Sequence, residues 1–248
     1  MELSRHRPLH LGVAEVISKG LRPTRNSMTP IRARKLAWRW TLVLLGVVAL
    51  APVGVASVPA WRHALLRSIG WVLVAQDPPA KADIIVVSSD SLGAGLLEAA
   101  DLVKAGFATR VGIFDQGETP LQRELVRRGA PPYDPKAFSI RVLRSQGVSD
   151  IVLLPEVVGT VDEGRVLQRW CVANSIHSLL FISVTDHSRR TRRVLDRDLG
   201  QHGIRVMVRY SHWSQFDPDS WWQSRDGQRV QITESQKLLV DILRHPFS

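Results

Sequence analysis

The sequence contains a single cysteine, Cys171, among its 248 residues. One cysteine excludes an intrachain disulfide and any metal cluster held by several thiolates. Cys171 lies in a predicted helix that also carries Leu167 and Trp170, and free cysteines are among the most buried residue types. We therefore expect Cys171 to be a small core residue and not a nucleophile.

Several motifs that would name a reaction are also missing. The chain has no Gly-x-Ser-x-Gly elbow, no Walker phosphate loop, no His-Glu-x-x-His pair and no complete dinucleotide fingerprint. Motifs therefore assign no reaction, no metal ligands and no cofactor. The candidate site has to be found from the order of the predicted strands and helices.

Acidic residues are scarce at the N-terminus: residues 1–40 hold nine of the 33 Lys and Arg residues but only Glu2 and Glu15 of the 23 acidic ones. The rest of the chain carries 24 basic and 21 acidic groups, so most of the formal charge of +10 belongs to the N-terminal segment. A nucleic-acid-binding domain concentrates positive charge on its folded part. We therefore do not expect nucleic acid as a partner.

Residues 1–36 show no sustained apolar periodicity and are rich in Arg, Pro, Ser and Thr. This composition predicts a basic, poorly ordered N-terminal arm. Met28 lies shortly before the first hydrophobic run, so translation starting at Met28 is an alternative to translation starting at Met1.

Residues 41–61 are uncharged, and as a helix they would span about 31 Å, the thickness of a bilayer core. With Trp38, Trp40 and Trp61 at its ends, this run predicts a transmembrane helix at 37–61. The basic arm would keep the N-terminus in the cytoplasm and the C-terminal domain on the periplasmic or extracytoplasmic side of the inner membrane. The alternatives are a cleaved signal peptide, or a buried core helix in a soluble cytoplasmic enzyme.

After a predicted juxtamembrane connector at 62–82, residues 83–248 alternate short apolar runs with helix-length segments. This pattern is typical of βαβ units and predicts a doubly wound α/β domain with a mostly parallel sheet. The predicted strands lie at 83–88, 110–114, 151–154, 179–184 and 204–210. In such sheets, ligands bind beyond the carboxyl ends of the strands.

Glu163 is the first candidate at these carboxyl ends. Thr160 and Glu163 have the spacing of a capping box, which is the purely structural interpretation. Glu163 also shares a predicted helix face with Val166, Leu167 and Trp170, which would direct its carboxylate into the crevice at the end of the sheet. There it could act as a base or as a metal partner.

His187 and Arg190 share a face of the next predicted helix, whose first two turns also carry Arg189, Arg192 and Arg193. Cations are unfavourable at a helix start unless an anion binds there. We therefore expect Arg190 to bind an anion and His187 to act as an acid or electrophile, with the other three arginines forming a solvated face. A partly exposed helix-end histidine is the alternative for His187.

The other predicted ligand-binding residues follow strands and have simpler alternative roles. Asp186 could be the helix N-cap, and polar residues after strands often serve turns. This group comprises Ser88, Ser89, Asp90, Asp115, Thr185 and Asp186. The pair Trp221 and Trp222 is expected to pack against the fold, or else to line a ligand or contact the membrane.

Several segments, in order from Ala82 to the C-terminus, resemble the YdcF-like family, which includes the ElyC and SanA envelope proteins. The segments that carry the resemblance are Asp83-Ile84-Ile85-Val86-Val87, Glu98-Ala99-Ala100-Asp101-Leu102-Val103-Lys104-Ala105-Gly106, Gln146-Gly147-Val148, Thr160-Val161-Asp162-Glu163, Val184-Thr185 with His187-x-x-Arg190, Trp221-Trp222 and Glu234-x-x-Lys237-Leu238. The chain departs from the family pattern where Ser88-Ser89-Asp90 replaces a run of glycines and Gly164 replaces an Asn. An alternative register places Arg189 at the position of the family's His.

The resemblance implies a Rossmann-like α/β domain, often on one membrane anchor, with a role in envelope integrity or in lipid-carrier and peptidoglycan metabolism. We therefore expect an envelope protein, bound to the lipid bilayer, that handles an anionic, phosphate-bearing metabolite such as a polyprenyl phosphate or a peptidoglycan precursor. The alternative is a non-catalytic binding or scaffold module.

Overall fold

In the computed structural model, the described residues are 38, 40–41, 43–45, 54, 57–132 and 134–247, and the main folded unit begins at Val58. The predicted basic arm at 1–36 lies outside these residues, as does most of the predicted transmembrane helix at 37–61. Among the described residues, no helix is both long enough and apolar enough to cross a bilayer.

The folded unit contains one sheet of five parallel strands in the order β3-β2-β1-β4-β5. The strands are β1 (Ile84–Val87), β2 (Arg110–Phe114), β3 (Asp150–Leu154), β4 (Ser178–Ser183) and β5 (Arg205–Tyr210). Every residue of β1 and β4 is buried, as expected for central strands covered on both faces. The predicted α/β fold with a parallel, Rossmann-like sheet is confirmed.

Seven helices of the described chain connect or cover these strands. They are α1 (Pro59–Trp71), α2 (Leu92–Lys104), α3 (Pro120–Arg127), α4 (Pro135–Ser145), α5 (Thr160–Ala173), α6 (Ser188–Gly200) and α7 (Arg225–Arg244). Alternate residues of β1 point to opposite faces. Ile84 and Val86 belong to the core beneath α5 and α6, whereas Ile85 and Val87 belong to the core beneath α2 and α4.

The order of the strands reverses between β1 and β4. From β1 the chain winds outward to β2 and β3, and it then crosses to β4 and β5 on the other side. The loops that leave β1 and β4 therefore diverge and open a crevice at their carboxyl ends, which is the usual ligand position in open α/β sheets.

The predicted connector at 62–82 is packed against the C-terminal segment. Leu73 joins a small buried cluster with Phe216 and Leu238, and Trp221 packs on that cluster. The indole Nε1 of Trp221 donates to the carbonyl of Leu66 at 2.8 Å. The packing interpretation of Trp221 is confirmed, and α1 belongs to the same folded unit as the sheet.

Helix α7 begins at Arg225 and is the longest of these helices. The side chain of Ser224 caps it by accepting a hydrogen bond from the Gly227 amide at 3.0 Å. The buried face of this helix is largely polar, with Gln231, Glu234 and Asp241 beside Leu238. A search for apolar periodicity does not detect such a face.

Candidate functional site

Polar side chains from five segments meet at the carboxyl ends of β1 and β4. We name this group the carboxyl-end crevice, and it consists of Ser88, Ser89, Asp90, Glu163, Asp186, His187, Arg190 and Glu234. The loop after β1 and a 3₁₀ turn at Thr185–His187 after β4 supply five of these residues, and α5, α6 and α7 supply the rest. Helices α5 and α6 cover the same face of the sheet. Glu163 and His187 therefore lie on one side of the sheet.

Glu163 is fully buried and its carboxylate is held by the loop after β1. Its Oε1 accepts hydrogen bonds from Ser88 Oγ at 2.9 Å, from the Ser89 amide at 2.7 Å and from Ser89 Oγ at 2.9 Å. The capping-box interpretation is wrong, because the N-cap is Gly159, with φ of 77°, and Thr160 is the first helical residue. Glu163 thus reaches across to β1 instead of back to its own helix start.

The environment of Glu163 favours its neutral form. Burial raises the pKa of the Glu163 carboxyl, and the negative charge of Asp90 adds to this effect, whereas the hydrogen bonds from Ser88 and Ser89 oppose it. Its second oxygen, Oε2, is buried and has no hydrogen-bond partner among the described residues. A carboxyl with a raised pKa and an unengaged oxygen is suited to proton transfer.

His187 is nearly buried and stands between two carboxylates. Its Nδ1 lies 3.3 Å from Asp186 Oδ2, and its Nε2 lies 3.6 Å from Asp90 Oδ2. Within the described chain, Nε2 has no hydrogen-bond partner. The interpretation of Asp186 as the N-cap of α6 is wrong, because His187 occupies that position and the Asp186 side chain contacts the imidazole instead.

Arg190 points toward α7. Its Nη2 lies 3.4 Å from Glu234 Oε2, and its Nε is buried without a hydrogen-bond partner among the residues described. The other carboxylate oxygen of Glu234 accepts from Lys237 Nζ at 2.6 Å. The predicted anion-binding arginine is therefore already paired with a carboxylate, and an anion would have to compete with Glu234 or use Nε.

The remaining arginines at the start of α6 do not form a solvated face. Arg189 donates to the carbonyl of Val74 at 2.7 Å and to that of Val72, and so caps the end of α1. Arg192 pairs with Asp77, and Arg193 pairs with Asp241 at 2.7 Å. We name these three residues the arginine face. Their charge is satisfied by tertiary contacts, which the sequence did not reveal.

Two predicted ligand-binding residues lie apart from the crevice. Asp115 follows β2, and its carboxylate pairs with Lys136 Nζ at 3.2 Å. Thr185 is buried in the 3₁₀ turn, and its backbone amide donates to Ser214 Oγ at 3.2 Å. Asp115 thus anchors α4, and Thr185 supports the turn that presents His187.

Three cavities border the crevice, and one of them, which Arg190 lines, lies among α5, α6 and α7. The other two adjoin the loop after β1 and the turn after β4. One, of about 280 Å³, is lined by Ser88 and Ser89 together with Gln116. The other, of about 580 Å³, is lined by Asp90 and Asp186 together with Trp213. Glu163 and His187 line neither of these two cavities. Glu163 contacts Ser88 and Ser89 of the smaller cavity, and His187 contacts Asp90 and Asp186 of the larger one.

Two acidic residues in this region were not predicted as site residues. Glu234 comes from α7, and its side chain is largely buried. Glu98 on α2 is also buried, and it accepts a hydrogen bond from Nδ1 of the exposed His212, 114 positions later. A sequence signal exists for Glu234, because it is four residues before the buried Leu238 on the same helix face.

The search against protein-family models gave no match, and none was found among curated proteins. Among solved structures, the chain is similar to a universal stress protein in complex with cAMP, at 16% identity and a TM-score of 0.35, over 53% of this chain and 99% of that one. It is also similar to the rRNA methyltransferase AviRa from Streptomyces viridochromogenes, at 15% identity and a TM-score of 0.28, over 59% and 72%.

Proposed function

We propose that the chain is a YdcF-like protein of the cell envelope whose carboxyl-end crevice carries out acid–base chemistry on a phosphate-bearing intermediate. The intermediate would be a polyprenyl phosphate or a peptidoglycan precursor. The observation that carries the proposal is the state of Glu163. It is a fully buried carboxyl with a raised pKa and one unengaged oxygen, next to the loop that also contacts His187.

In this proposal Glu163 is the proton-transfer group. The donors from Ser88 and Ser89 fix Oε1, so Oε2 is the atom left to exchange a proton with a ligand. A carboxyl can act in either direction, as an acid when protonated and as a base when ionised, and burial favours the protonated form of Glu163. Asp90 connects this group to the imidazole of His187.

His187 and Arg190 would handle the charged part of the substrate. The buried Nε of Arg190 can donate a hydrogen bond to a phosphate oxygen, and the imidazole of His187, which lies between Asp90 and Asp186, supplies an acid group beside it. The pairing of Arg190 with Glu234 means that phosphate binding has to weaken this ion pair. Binding of phosphate is therefore expected to free Glu234 for its other neighbour, Lys237.

The membrane anchor is part of the same proposal. The uncharged run at 41–61 has the length of a bilayer span, and its last four residues belong to the folded unit that begins at Val58. An anchored domain would meet lipid-linked substrates at the membrane surface. A topology reporter fused after Ser248 tests this placement, because an extracytoplasmic reporter supports it and a cytoplasmic one contradicts it.

Product analysis tests the proposed chemistry. The full chain would be incubated with polyprenyl phosphates, muropeptides and nucleotides, and products would be identified by mass spectrometry. We expect conversion of a phosphate-bearing compound that is abolished by Glu163→Gln and by His187→Gln. The exposed Glu156 lies just before α5, so Glu156→Gln is the matched control and should keep full activity. Unchanged turnover by Glu163→Gln would contradict the proposal.

The alternative is a binding or scaffold module without turnover. The ion pair of Arg190 with Glu234 favours it, because the predicted anion site is closed by a carboxylate from the same chain. A thermal-shift panel with the same compounds separates the two functions. A shift without product supports the module, whereas a phosphate-dependent shift with product supports the enzyme.

A further inference from the structure

Asp186, His187 and Glu234 bring two carboxylates and one imidazole to the same place. Each residue offers one ligand atom, and these three atoms all lie within 4.8 Å of one another. Asp186 and His187 belong to the 3₁₀ turn after β4, whereas Glu234 comes from α7, so the cluster is a product of tertiary packing. None of the three residues is exposed.

The spacing of these atoms resembles a coordination sphere more than a hydrogen-bond network. Imidazole and carboxylate ligands bind Zn²⁺ at about 2.0–2.2 Å, which puts neighbouring ligand atoms roughly 3–4 Å apart. His187 Nδ1 and Asp186 Oδ2 are 3.3 Å apart, which is long for a charge-assisted hydrogen bond. The limit of 4.8 Å for all three atoms is wider than this spacing, so the side chains would close on one ion by shifts of up to about 1 Å.

A second observation concerns the other nitrogen of the imidazole. His187 Nε2 is buried and unpartnered in the described part of the chain, and it faces Asp90 Oδ2 at 3.6 Å. A histidine that binds a metal through one ring nitrogen usually presents the other N–H to a carboxylate, which fixes the ring and raises its basicity. Asp90 stands in this supporting position, while Nδ1 faces the cluster.

Charge around the cluster also favours a cation. Three carboxylates lie around His187, namely Asp90, Asp186 and Glu234. Among the described residues, the cations paired with them are Arg190 and Lys237, and both pair with Glu234. Uncompensated negative charge in a mostly buried region is costly unless it is protonated or meets a cation. Asp186 lines the larger cavity, so an ion held by this residue is accessible from solvent.

We propose that Asp186, His187 and Glu234 bind one divalent transition-metal ion, of the class of Mn²⁺ or Zn²⁺. Carboxylates favour Mn²⁺ and imidazole favours Zn²⁺, so the mixed ligand set suits ions that accept both. Three protein ligands leave coordination positions open, as in catalytic metal sites. Such an ion would attract the phosphate of a substrate, and this role rests on the proposed function. Binding of the ion itself is independent of the proposed function.

Lys237 provides a test specific to this geometry. Its ammonium group lies 2.6 Å from Glu234 Oε1, so it competes with the ion for this carboxylate. About half of the Lys237 side chain is exposed, so it can move into solvent when the ion binds. Lys237→Met removes the competing charge and should tighten Mn²⁺ binding. Substitution of the ligands should weaken binding on the order of 10- to 100-fold or more, as loss of supporting contacts already does in metal sites.

The experiment is a titration of the chelator-treated full chain with Mn²⁺, followed by the loss of the free-ion signal in electron paramagnetic resonance. A parallel Zn²⁺ titration is followed by calorimetry. The chain contains eight histidines, so Zn²⁺ is assigned to the cluster only where His187→Gln removes its binding. Asp226→Asn is the matched control, because Asp226 is a highly exposed carboxylate on the same helix as Glu234.

We expect tight Mn²⁺ binding by the unmodified chain and by Asp226→Asn, weaker binding by Asp186→Asn, His187→Gln and Glu234→Gln, and tighter binding by Lys237→Met. Circular dichroism would verify that each variant is folded. Wild-type affinity in both Glu234→Gln and His187→Gln overturns the site, as does an undiminished free Mn²⁺ signal with protein in excess. Glu163→Gln separates the two proposals, because it should abolish turnover and keep Mn²⁺ binding. Turnover without metal binding would overturn the metal site and support the proposed function.

Discussion

The arginine face and the carboxyl-end crevice meet at the start of α6, yet they differ in how many of their polar atoms have hydrogen-bond partners. In the arginine face, Arg189 reaches carbonyls at the end of α1, and Arg193 reaches Asp241. In the crevice, Glu163 Oε2 and His187 Nε2 are buried and lack hydrogen-bond partners among the described residues. Both regions are rich in charge, but only the crevice has unused bonding capacity.

This difference separates structural charge from functional charge. A buried polar atom without a partner costs free energy, so a fold that leaves two of them side by side usually needs them for a ligand, water or ion. An arginine that caps a helix or pairs with an aspartate is already explained by stability. Variants of the arginine face should therefore change unfolding, and variants of the crevice should change pH dependence and binding.

The largest expected effect belongs to the arginine face. Asp241 pairs with both Arg193 and Arg197, and all three side chains are less than one-fifth exposed. Asp241→Asn removes the carboxylate that Arg193 and Arg197 share, while Arg193 keeps the carbonyl of His245 and Arg197 keeps Asp198. We expect a loss of about 2–3 kcal/mol in the free energy of unfolding, somewhat less than for a fully buried ion pair. The melting temperature should fall by about 4–10 °C, measured by circular dichroism. Asp226→Asn, on the same helix, should stay within about 1 °C of the wild type.

The second effect is a pH dependence that comes from Glu163. Because its folded pKa is raised above the unfolded value of about 4.3, the folded state binds its proton more tightly. The contribution of Glu163 to stability is present below about pH 4 and is lost as the pH rises through the folded pKa. The side chain introduced by Glu163→Gln does not titrate. The melting temperature of this variant should therefore rise relative to that of the wild type from pH 4 to pH 8.

The size of this gain is about 1.4 kcal/mol for each unit by which burial raises the pKa of Glu163. Thermal melts of both proteins in buffers of equal ionic strength would measure it. The exposed Glu156 serves as the control residue, and Glu156→Gln should follow the wild-type curve at every pH. A melting temperature of Glu163→Gln that falls relative to that of the wild type as the pH rises would contradict the raised pKa.

A smaller effect is expected from Arg189. Its guanidinium donates to the carbonyls of Val72 and Val74 just beyond α1, and Arg189→Ala leaves these acceptors to water. We expect a loss of about 1 kcal/mol in the free energy of unfolding, with faster amide hydrogen exchange confined to α1. Arg189→Lys should recover part of it. Global loss of protection would show that Arg189 has a wider structural role.

The smallest effect concerns Ser88. Its hydroxyl donates one of three hydrogen bonds to Glu163 Oε1, and the two from Ser89 remain when it is removed. Ser88→Ala should lower stability by about 0.5–1.5 kcal/mol and raise the pKa of Glu163 further, because a donor to its charged form is lost. The midpoint of the pH-dependent melting difference should move upward. A downward shift would contradict the assigned hydrogen bond.

Sequence reasoning identified the position of the crevice but not its contacts. The spacing of Glu163 and His187 after β3 and β4 placed them at the carboxyl ends of a parallel sheet. The partners of Glu163 lie 74 and 75 positions away, and Glu234 lies 44 positions from Arg190. Partners so far apart in the sequence meet only because helices pack on the sheet. The spacing within a single helix carries no information about them and suggested local roles instead. The capping box at Thr160 and the N-cap at Asp186 were errors of this kind.

The sequence by itself determined the architecture, because the alternation of apolar runs with amphipathic segments is a property of consecutive residues. Runs such as Ile84–Val87 have to be buried on both faces, and this requirement selects a parallel sheet between two helix layers. Only the tertiary structure decided which charged side chains meet. The energy of an ion pair or an orphaned atom depends on distance and burial, and both are set when segments far apart in the chain close around the same crevice.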